Sequence, residues 1–237
     1  MRPVVLALAP PAPGISRGSA TPCLEMLGGS RLIERLLGTL EGLGLATPLV
    51  VTAHGSAARL REVLGPRLSV KAVDGDRRSA LRAALAATTE ERLLLHDAER
   101  ALTPPAVISE VLSALTAGID AVVPVVGVTD SVKEVHPGGL RNIDRSTLVA
   151  LQSPRLLRRE LLERCVSAPT SAAAPAPERP ERFDEILTAL EAGAQVATVH
   201  GSHSGFAVLD RLSLWQAQIS LGLARDTSHR HGLARRA

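Results

Sequence analysis

The stretch Leu93–Arg100, which reads LLLHDAER, is the starting point for predicting how this chain folds. Three successive leucines followed by polar residues are typical of a short strand buried on both faces. Ligands bind beyond the carboxyl ends of strands in open parallel sheets, which predicts a site near Asp97 and Arg100. A carboxylate there can hold Mg²⁺ or a ribose hydroxyl, and a guanidinium can grip a phosphate. A strand end solvated by its own charges explains the same residues.

The composition is that of a globular chain without a nucleic-acid or membrane signature. The chain has 237 residues, of which 45% are hydrophobic and 1% aromatic, with a net charge of +3. So few aromatic residues provide no stacking platform for nucleic acid, and no apolar run reaches the ~18 residues of a membrane span. Cys23 and Cys165 have no metal-binding spacing, and two such cysteines fit a reducing cytoplasm. We expect a single domain over residues 1–225 and a flexible basic tail over 226–237.

Apolar runs alternate with helical periodicity along the first half of the chain. This order predicts the α/β class with a mostly parallel sheet and right-handed crossovers. The predicted strands are residues 4–9, 49–53, 68–73, 93–95 and 121–126, and the predicted helices are residues 30–43, 57–64, 80–87 and 103–118.

The rhythm changes at residues 128–147, which predict a hairpin projecting from the domain around His136–Gly139. A hairpin without its own core is marginal, so we expect it to pack on a second copy of the chain. Beyond it the sequence predicts a flexible proline- and alanine-rich segment at 167–180. The remaining predicted elements are helices at 156–165, 182–190 and 212–223 and strands at 194–200 and 206–209.

Two polar loops follow predicted strands. The first, Pro10–Gly18, lies where doubly wound folds hold phosphates, but its prolines remove amide donors, so a rigid connecting loop is the alternative. The second, Asp74–Ser79, opens a helix. Its Asp and Ser are typical helix caps, whereas Arg77 and Arg78 in the first turn oppose the helix dipole and indicate an anion nearby. Cap and ligand site both remain open for this segment.

Five motifs, in order along the chain, resemble those of the 2-C-methyl-D-erythritol 4-phosphate cytidylyltransferase family. Individually each match is weak, but five in register and with sensible spacing make the resemblance strong. They are Asp74–Ser79 for Asp-Gly-Gly-x-x-Arg-x-x-Ser, His96–Ala101 for His-Asp-Ala-Ala-Arg-Pro, Pro124–Val125 with Asp130–Lys133 for Pro-Val-x-Asp-Thr-x-Lys, Asp144–Leu148 with Gln152–Arg155 for Asp-Arg-x-x-Leu and Gln-Thr-Pro-Gln, and Phe183–Glu185 for Thr-Asp-Glu.

The resemblance implies a Rossmann-like, nucleotidyltransferase-type α/β fold. It also implies an enzyme that depends on Mg²⁺ and dimerises through a projecting β-arm. The family joins a cytidylyl group from CTP to a small phosphorylated polyol, methylerythritol phosphate, and releases pyrophosphate. By this resemblance Asp97 is a catalytic residue and metal ligand, with Arg17 as a candidate catalytic cation. The implied nucleotide-binding residues are Gly14, Gly75, Asp76, Ser79, Asp97 and Ala98, and the implied acceptor-binding residues are Arg100, Ser131, Lys133 and Arg145.

The chain departs from the family where cations are expected. The loop pattern Ala-Ala-Gly-x-Gly-x-Arg is replaced by Pro11–Arg17, one family lysine falls at Thr21–Cys23, and the second falls on Ala207. The family aspartate before the second lysine falls on Ser204. Charge builds at the α-phosphorus during transfer, so fixed cations there are the main catalytic device.

We therefore hypothesise a diverged member with weak, altered or absent transferase activity. The alternatives are an ordinary active cytidylyltransferase that uses Arg17 with Arg77 or Arg78, a nucleotidyltransferase for another phosphorylated polyol, and a non-catalytic dimeric binding protein.

Overall fold

The computed structural model describes residues 1–12, 15, 21–74, 76–169 and 183–223. Its strands are β1 Arg2–Ala7, β2 Met26–Leu27, β3 Ser30–Arg31, β4 Leu49–Ala53, β5 Ser69–Val73, β6 Arg92–Asp97, β7 Ala121–Gly127, β8 Val132–His136, β9 Gly139–Ile143, β10 Val149–Leu151, β11 Arg155–Arg158 and β12 Val196–His200. Its helices are α1 Leu32–Gly42, α2 His54–Leu64, α3 Arg77–Ala86, α4 Pro105–Ala114, α5 Arg159–Ser167, α6 Glu185–Glu191 and α7 Arg211–Ser220.

The central sheet is mixed and mostly parallel, as the sequence predicted. Strands β5, β4, β1 and β6 pair in parallel in that order, and β7 pairs in parallel with β12. Antiparallel β11 lies between β6 and β7, and β10 pairs antiparallel with the end of β7. The carboxyl ends of β1, β4, β5 and β6 therefore meet at one edge, where ligands bind in open sheets of this kind.

Helices cover both faces of the sheet, and the leucines of β6 pack into the apolar layers on both of these faces. Leu94 belongs to the apolar layer that contains Leu32 and Leu36 of α1. Leu93 and Leu95 belong to the opposite layer, with Leu81 of α3. All three β6 leucines have no exposed surface, which is why the strand is a continuous apolar run rather than an alternating one.

The predicted helix at 156–165 is wrong in its first part. Residues 155–158 form β11, and the helix starts at Arg159. Leu156 pairs with Leu94 on one side and Val122 on the other, and it is fully buried between them. A short apolar run does not distinguish a buried strand from a buried helix, so pairing on both sides decides.

Other boundaries also move. The predicted strand at 206–209 is wrong: a 3₁₀ turn, His203–Gly205, precedes these residues, and Val208 instead donates its N–H to the carbonyl of Glu99 at 2.8 Å. The first strand spans residues 2–7 rather than 4–9, and α2 and α3 each begin three residues before their predicted starts. Most of the predicted flexible segment and the basic tail lies outside the described residues.

The predicted hairpin is confirmed. Strands β8 and β9 pair antiparallel over residues 132–143, and we call this hairpin the arm. Val135 and Leu140 lie opposite each other and are 81% and 68% exposed, so the arm adds little to the central core. Across the described ranges, no helix is both long and apolar enough to cross a bilayer.

Candidate functional site

Asp97 lies at the carboxyl end of β6, and the fold brings the first residue of α3 against it. Helix α3 starts just after β5, whose carboxyl end lies at the same sheet edge. Arg77 Nη1 donates to Asp97 Oδ1 at 2.6 Å. The Arg77 side chain is 21% exposed and the Asp97 side chain is 24% exposed. The two arginines in the first turn of α3 led us to expect an anion nearby, and for Arg77 the chain itself supplies that anion.

A second carboxylate holds the same guanidinium. Arg77 donates from Nε and Nη2 to the two oxygens of Glu185, both at 2.7 Å, and the Glu185 side chain is fully buried. This is a bidentate fork, the arrangement in which a guanidinium binds a carboxylate most specifically. Sequence reasoning identified Glu185 only as part of a motif and missed its role as the partner of Arg77.

Arg155 completes this cluster. Its Nη1 donates to Asp184 Oδ2 at 3.1 Å and forms an ion pair with Glu185 Oε1 at 3.0 Å, and its side chain is 10% exposed. The Nε of Arg155 is buried without a hydrogen-bond partner among the described residues. We call Arg77, Asp97, Arg155 and Glu185 the ion cluster. In the sequence, Arg155 stands where the family motif Gln-Thr-Pro-Gln ends in glutamine. The spacing of the motifs alone did not reveal the ion-pair partners of Arg155.

The two carboxylates of the ion cluster are stabilised in their charged form. Burial would raise the pKa of Asp97, but the charge and hydrogen bond of Arg77, helped by Arg155, outweigh it and lower that pKa. The pKa of Glu185 is lowered in the same way, because the two arginines overcome its complete burial. Arg77 and Arg155 thus balance the charge of Asp97 and Glu185 within the protein.

His96 supports Asp97 from inside the sheet. It is fully buried, and burial lowers its pKa to about 4, so the imidazole is neutral at physiological pH. Its Nδ1 lies 3.1 Å from the carbonyl oxygen of Asp97 and 3.4 Å from Ser153 Oγ. The N–H of Asp97 donates to the same Ser153 Oγ at 3.2 Å. The backbone at Asp97 is therefore fixed by two neighbouring polar groups.

Arg100 holds the loop that carries Ala207. Its Nη1 donates to the carbonyl of Gly205 at 2.7 Å, and burial lowers its pKa. The same loop is fixed by Gln152, which donates to the carbonyl of Ser202 at 2.9 Å and accepts from the Ser202 N–H at 3.0 Å. A guanidinium has five N–H donors, so this bond leaves Arg100 with donors for a ligand.

Glu99 is buried beside Thr21. The Thr21 hydroxyl donates to Glu99 Oε1 at 3.5 Å, and the residue is only 5% exposed. Burial, followed by the nearby charge of Asp97, raises the pKa of Glu99 to about 7. Cys23 is completely buried, and burial raises the pKa of its thiol. Where the family has a lysine, this region of the described chain therefore offers a neutral thiol.

Two of the predicted nucleotide-binding residues, Asp76 and Ser79, take part in the N-cap of α3. The Asp76 carboxylate accepts from the Ser79 N–H at 3.0 Å, which is an N-cap hydrogen bond. Arg78 donates to the carbonyl of Ala168 at 2.7 Å and lies over the ring of Phe183, at 4.5 Å from its centroid.

The Ala98 N–H donates to the carbonyl of Leu6 at 2.9 Å and is not free for a ligand. Gly14, Arg17 and Gly75 lie outside the described residues.

The predicted acceptor-binding residues divide into two groups. Ser131 and Arg145 line a shallow pocket of about 250 Å³ at the base of the arm. Arg145 donates to the carbonyl of Thr129, and Lys133 donates to Asn142 on the facing strand. Arg100 lies at the sheet edge instead, and within the described chain no hydrogen bond or ion pair joins it to the arm residues.

The residues around Asp97 fit a metal ion that arrives with its own ligands. The described residues contain no cluster of three or more His, Cys, Asp or Glu side chains that could hold a metal. Asp97 uses Oδ1 for Arg77 and can offer its second oxygen. Mg²⁺ commonly binds through one or two carboxylates together with substrate phosphates and water, so one free oxygen suffices here.

Comparison with known proteins extends this description. A family model described as "IspD: 2-C-methyl-D-erythritol 4-phosphate cytidylyltransferase" matches residues 17–223. The curated enzyme of that name from Frankia casuarinae is 34% identical over 213 residues, covering 87% of this chain and 77% of the relative. The one from Rhodococcus jostii is 32% identical over 216 residues, covering 89% and 92%. The crystal structure of the Thermus thermophilus enzyme superposes with a TM-score of 0.69 at 21% identity, covering 92% of this chain and 98% of the other.

The mixed, mostly parallel sheet with its charged edge therefore places the chain in a class of α/β proteins that share the fold of that solved structure. Within that class, the family match and the two bacterial relatives are more specific than the fold. The chain belongs to the 2-C-methyl-D-erythritol 4-phosphate cytidylyltransferase family of isoprenoid biosynthesis.

Proposed function

We propose that the chain transfers a cytidylyl group from CTP to 2-C-methyl-D-erythritol 4-phosphate, and that this activity is weak or altered relative to its family. The observation that carries the proposal is an asymmetry around Asp97. Asp97 and Arg100 occupy the expected sheet edge, while the two family lysine positions hold a buried cysteine and Ala207. Loss of one preorganised donor typically costs ~10²–10³ in rate, so two losses lower turnover strongly.

The proposed roles follow the two sides of the site. On the nucleotide side we assign Gly14, Gly75, Asp76, Ser79 and Ala98, with Asp97 at the reacting phosphate and Arg17 as the substitute cation. On the acceptor side we assign Arg100, Ser131, Lys133 and Arg145 to the phosphate and hydroxyls of the polyol. The arm pocket formed by Ser131 and Arg145 supports this acceptor assignment.

We propose Mg²⁺ as the metal, held jointly by Asp97 and by the phosphates of the nucleotide. When bound there, it would offset the negative charge that builds on the phosphates. Arg77 fixes Asp97 Oδ1, and the carboxylate is therefore held in one orientation towards the ligand.

We propose a homodimer formed through the arm. The exposed pair Val135 and Leu140 supports it, because apolar side chains on an isolated hairpin need a partner surface. Ser131 and Arg145 lie at the base of the same arm, so dimerisation would bring them towards the partner's sheet edge. A cytoplasmic location is also part of the proposal, and two free, buried cysteines are consistent with it.

A non-catalytic dimeric binding protein is the second candidate. The buried Cys23 and the acid Glu99 favour it, because neither offers a positive charge to a triphosphate. In this case the acceptor side alone would bind a small phosphate ester. A nucleotidyltransferase for another phosphorylated polyol would instead keep the response to CTP.

Pyrophosphate release in the presence of CTP, Mg²⁺ and methylerythritol phosphate tests the proposal. We expect slow turnover, and turnover as rapid as that of a family enzyme assayed in parallel would contradict the weakened activity. Thermal unfolding with each ligand separates the candidates, since a ligand at 100 times its Kd adds about 2.7 kcal/mol of stability. Stabilisation by CTP with Mg²⁺ supports a transferase, and a response to the phosphate ester alone supports the binding protein.

A further inference from the structure

Glu185 belongs to helix α6 and not to a strand of the sheet, yet it is bound to the residue that holds Asp97. It is the first residue of α6, and it is fully buried with both carboxylate oxygens on Arg77. The third donating nitrogen of Arg77 is the one that contacts Asp97. The plane of the guanidinium is rigid, so the fork on Glu185 determines where Nη1 points.

Glu185 is itself fixed from two directions. Nη1 of Arg155 on β11 forms an ion pair, at 3.0 Å, with the same Oε1 that accepts from Arg77. Asp184 caps α6 by accepting from the N–H groups of Ile186 and Leu187, at 2.8 and 3.1 Å. The cap holds the start of the helix, and the second arginine holds the carboxylate, so Glu185 has little freedom to move.

We infer that Glu185 is a positioning residue for Asp97, which it acts on through Arg77. The inference rests on the proposed transferase function for its catalytic consequence. We call the chain of contacts Glu185–Arg77–Asp97 the relay. It sets which oxygen of Asp97 accepts from Arg77 and which one faces a ligand. Helix α6, more than 80 residues further along the chain, thereby takes part in the site.

Lysine at position 77 cannot replace the relay. A single ammonium has no rigid fork, so it cannot bind both oxygens of Glu185 and also orient a third donor towards Asp97. Displacement of a reacting group by about 1 Å can cost 10²-fold in rate. We therefore expect Arg77→Lys and Glu185→Gln to lower kcat by about 10- to 100-fold, with the KM for CTP changed less than about threefold.

Arg82→Lys is the matched control. Arg82 lies on the same helix and donates from Nε and Nη2 to the carbonyl of Val166, away from Asp97. We expect its kcat to stay within about twofold of the original chain, with only a small change in Tm because Arg82 is exposed. An equal fall of kcat in all three variants would show a structural effect only and would overturn the inference.

A second measurement does not depend on turnover. The ¹³C resonance of the Asp97 carboxyl carbon, assigned with Asp97→Asn, reports its environment at about pH 8, where carboxylates are ionised. We expect it to move in Arg77→Lys and Glu185→Gln and to stay in place in Arg82→Lys. If Glu185→Gln does not fold, Glu185→Asp, which retracts the carboxylate by one methylene, replaces it. An unmoved resonance overturns the relay, whereas absent turnover in the original chain with a moved resonance refutes only the transferase function.

Discussion

Two buried glutamates in this protein have opposite electrostatic environments. Glu185 forms ion pairs with two arginines, and its pKa is lowered although it has no exposed surface. Among the described residues, the partner of Glu99 is a threonine hydroxyl and not a cation, and burial raises the pKa of Glu99 to about 7. The difference lies in the partner and not in the residue type, because a buried charge needs an opposite charge to stay ionised.

Glu99→Gln should stabilise the protein more at pH 8 than at pH 5. In the unfolded chain Glu99 loses its proton near its ordinary value of 4.5, but in the folded chain it does so near 7. The stabilising contribution of Glu99 is therefore full below pH 4.5 and is lost as the pH rises through 7, by about 3 kcal/mol in total. The free energy of unfolding in urea, compared at both pH values, measures the difference.

Glutamine does not titrate, so the gain over the original chain should grow between those two pH values. Glu110→Gln, on an exposed position of α4, provides the control and should give the same difference at both. A Glu99→Gln gain that is independent of pH would contradict the raised pKa.

Gly201→Ala should destabilise the protein by about 1–3 kcal/mol. A Cβ atom at this position would lie 2.4 Å from Gln152 Oε1 and 3.0 Å from the carbonyl oxygen of Val125. Gln152 cannot move away freely, because it makes two hydrogen bonds to Ser202. Gly38→Ala, on α1 with open space around it, should instead raise stability by about 0.5–1 kcal/mol. Urea unfolding of both variants checks the opposite signs, and equal effects would refute the packing argument.

At the scale of whole elements, partners decide what local sequence leaves open. Strand β11 and the arm are both short, but β11 is paired on two sides and buried, whereas in the described part of the chain the two arm strands pair only with each other. The apolar residues of β11 are therefore satisfied within the chain, and those of the arm are not. This contrast supports the proposed role of the arm as the dimer contact.

The double variant Val135→Ser with Leu140→Ser should dissociate the proposed dimer. These two side chains face each other on the arm and are its most exposed apolar residues among those described. Sedimentation equilibrium should give the mass of a dimer for the original chain and of a monomer for the variant. Leu187→Ser with Leu190→Ser, on exposed positions of α6, should leave the mass unchanged. A dimer that survives the arm variant would exclude the arm as the contact.

For the molecule as a whole, the ion cluster connects elements that are far apart in sequence. Arg77 from α3, Asp97 from β6, Arg155 from β11 and Glu185 from α6 meet at the carboxyl edge of the sheet. Removal of one member of a buried pair typically costs about 3–5 kcal/mol, because the remaining charge is uncompensated. The same ionised groups therefore hold Asp97 in place at the candidate site and stabilise the fold.

Acid should destabilise the Glu99→Gln variant steadily as pH falls from 6.5. The pKa of His96 is about 4 in the folded chain against an ordinary 6.5, so its contribution is full above 6.5 and is lost towards pH 4, by about 3 kcal/mol. Asp97 and Glu185 have lowered pKa values, so their contribution is present above their ordinary values and is lost as pH falls through the folded ones. Urea unfolding at several pH values tests this, and a flat profile between pH 6.5 and 4 would contradict it.

The Glu99→Gln variant is used for this measurement because it removes the titration of Glu99. In the original chain, Glu99 gains stability as pH falls from 7 to 4.5, while His96 loses it over an overlapping range. The two effects oppose each other, so the original chain should show a weaker pH dependence than the variant.

The sequence by itself determined the α/β class, the buried β6, the arm and the family, because these depend on local apolar patterns and on motifs of fixed spacing. It also placed Asp97 and Arg100 at the sheet edge, since polar residues directly follow a buried strand. It did not reveal β11 as a strand or the partners of Arg77. Only the tertiary structure decided these, because pairing with β6 and β7 and the fork on Glu185 join residues that local sequence does not relate.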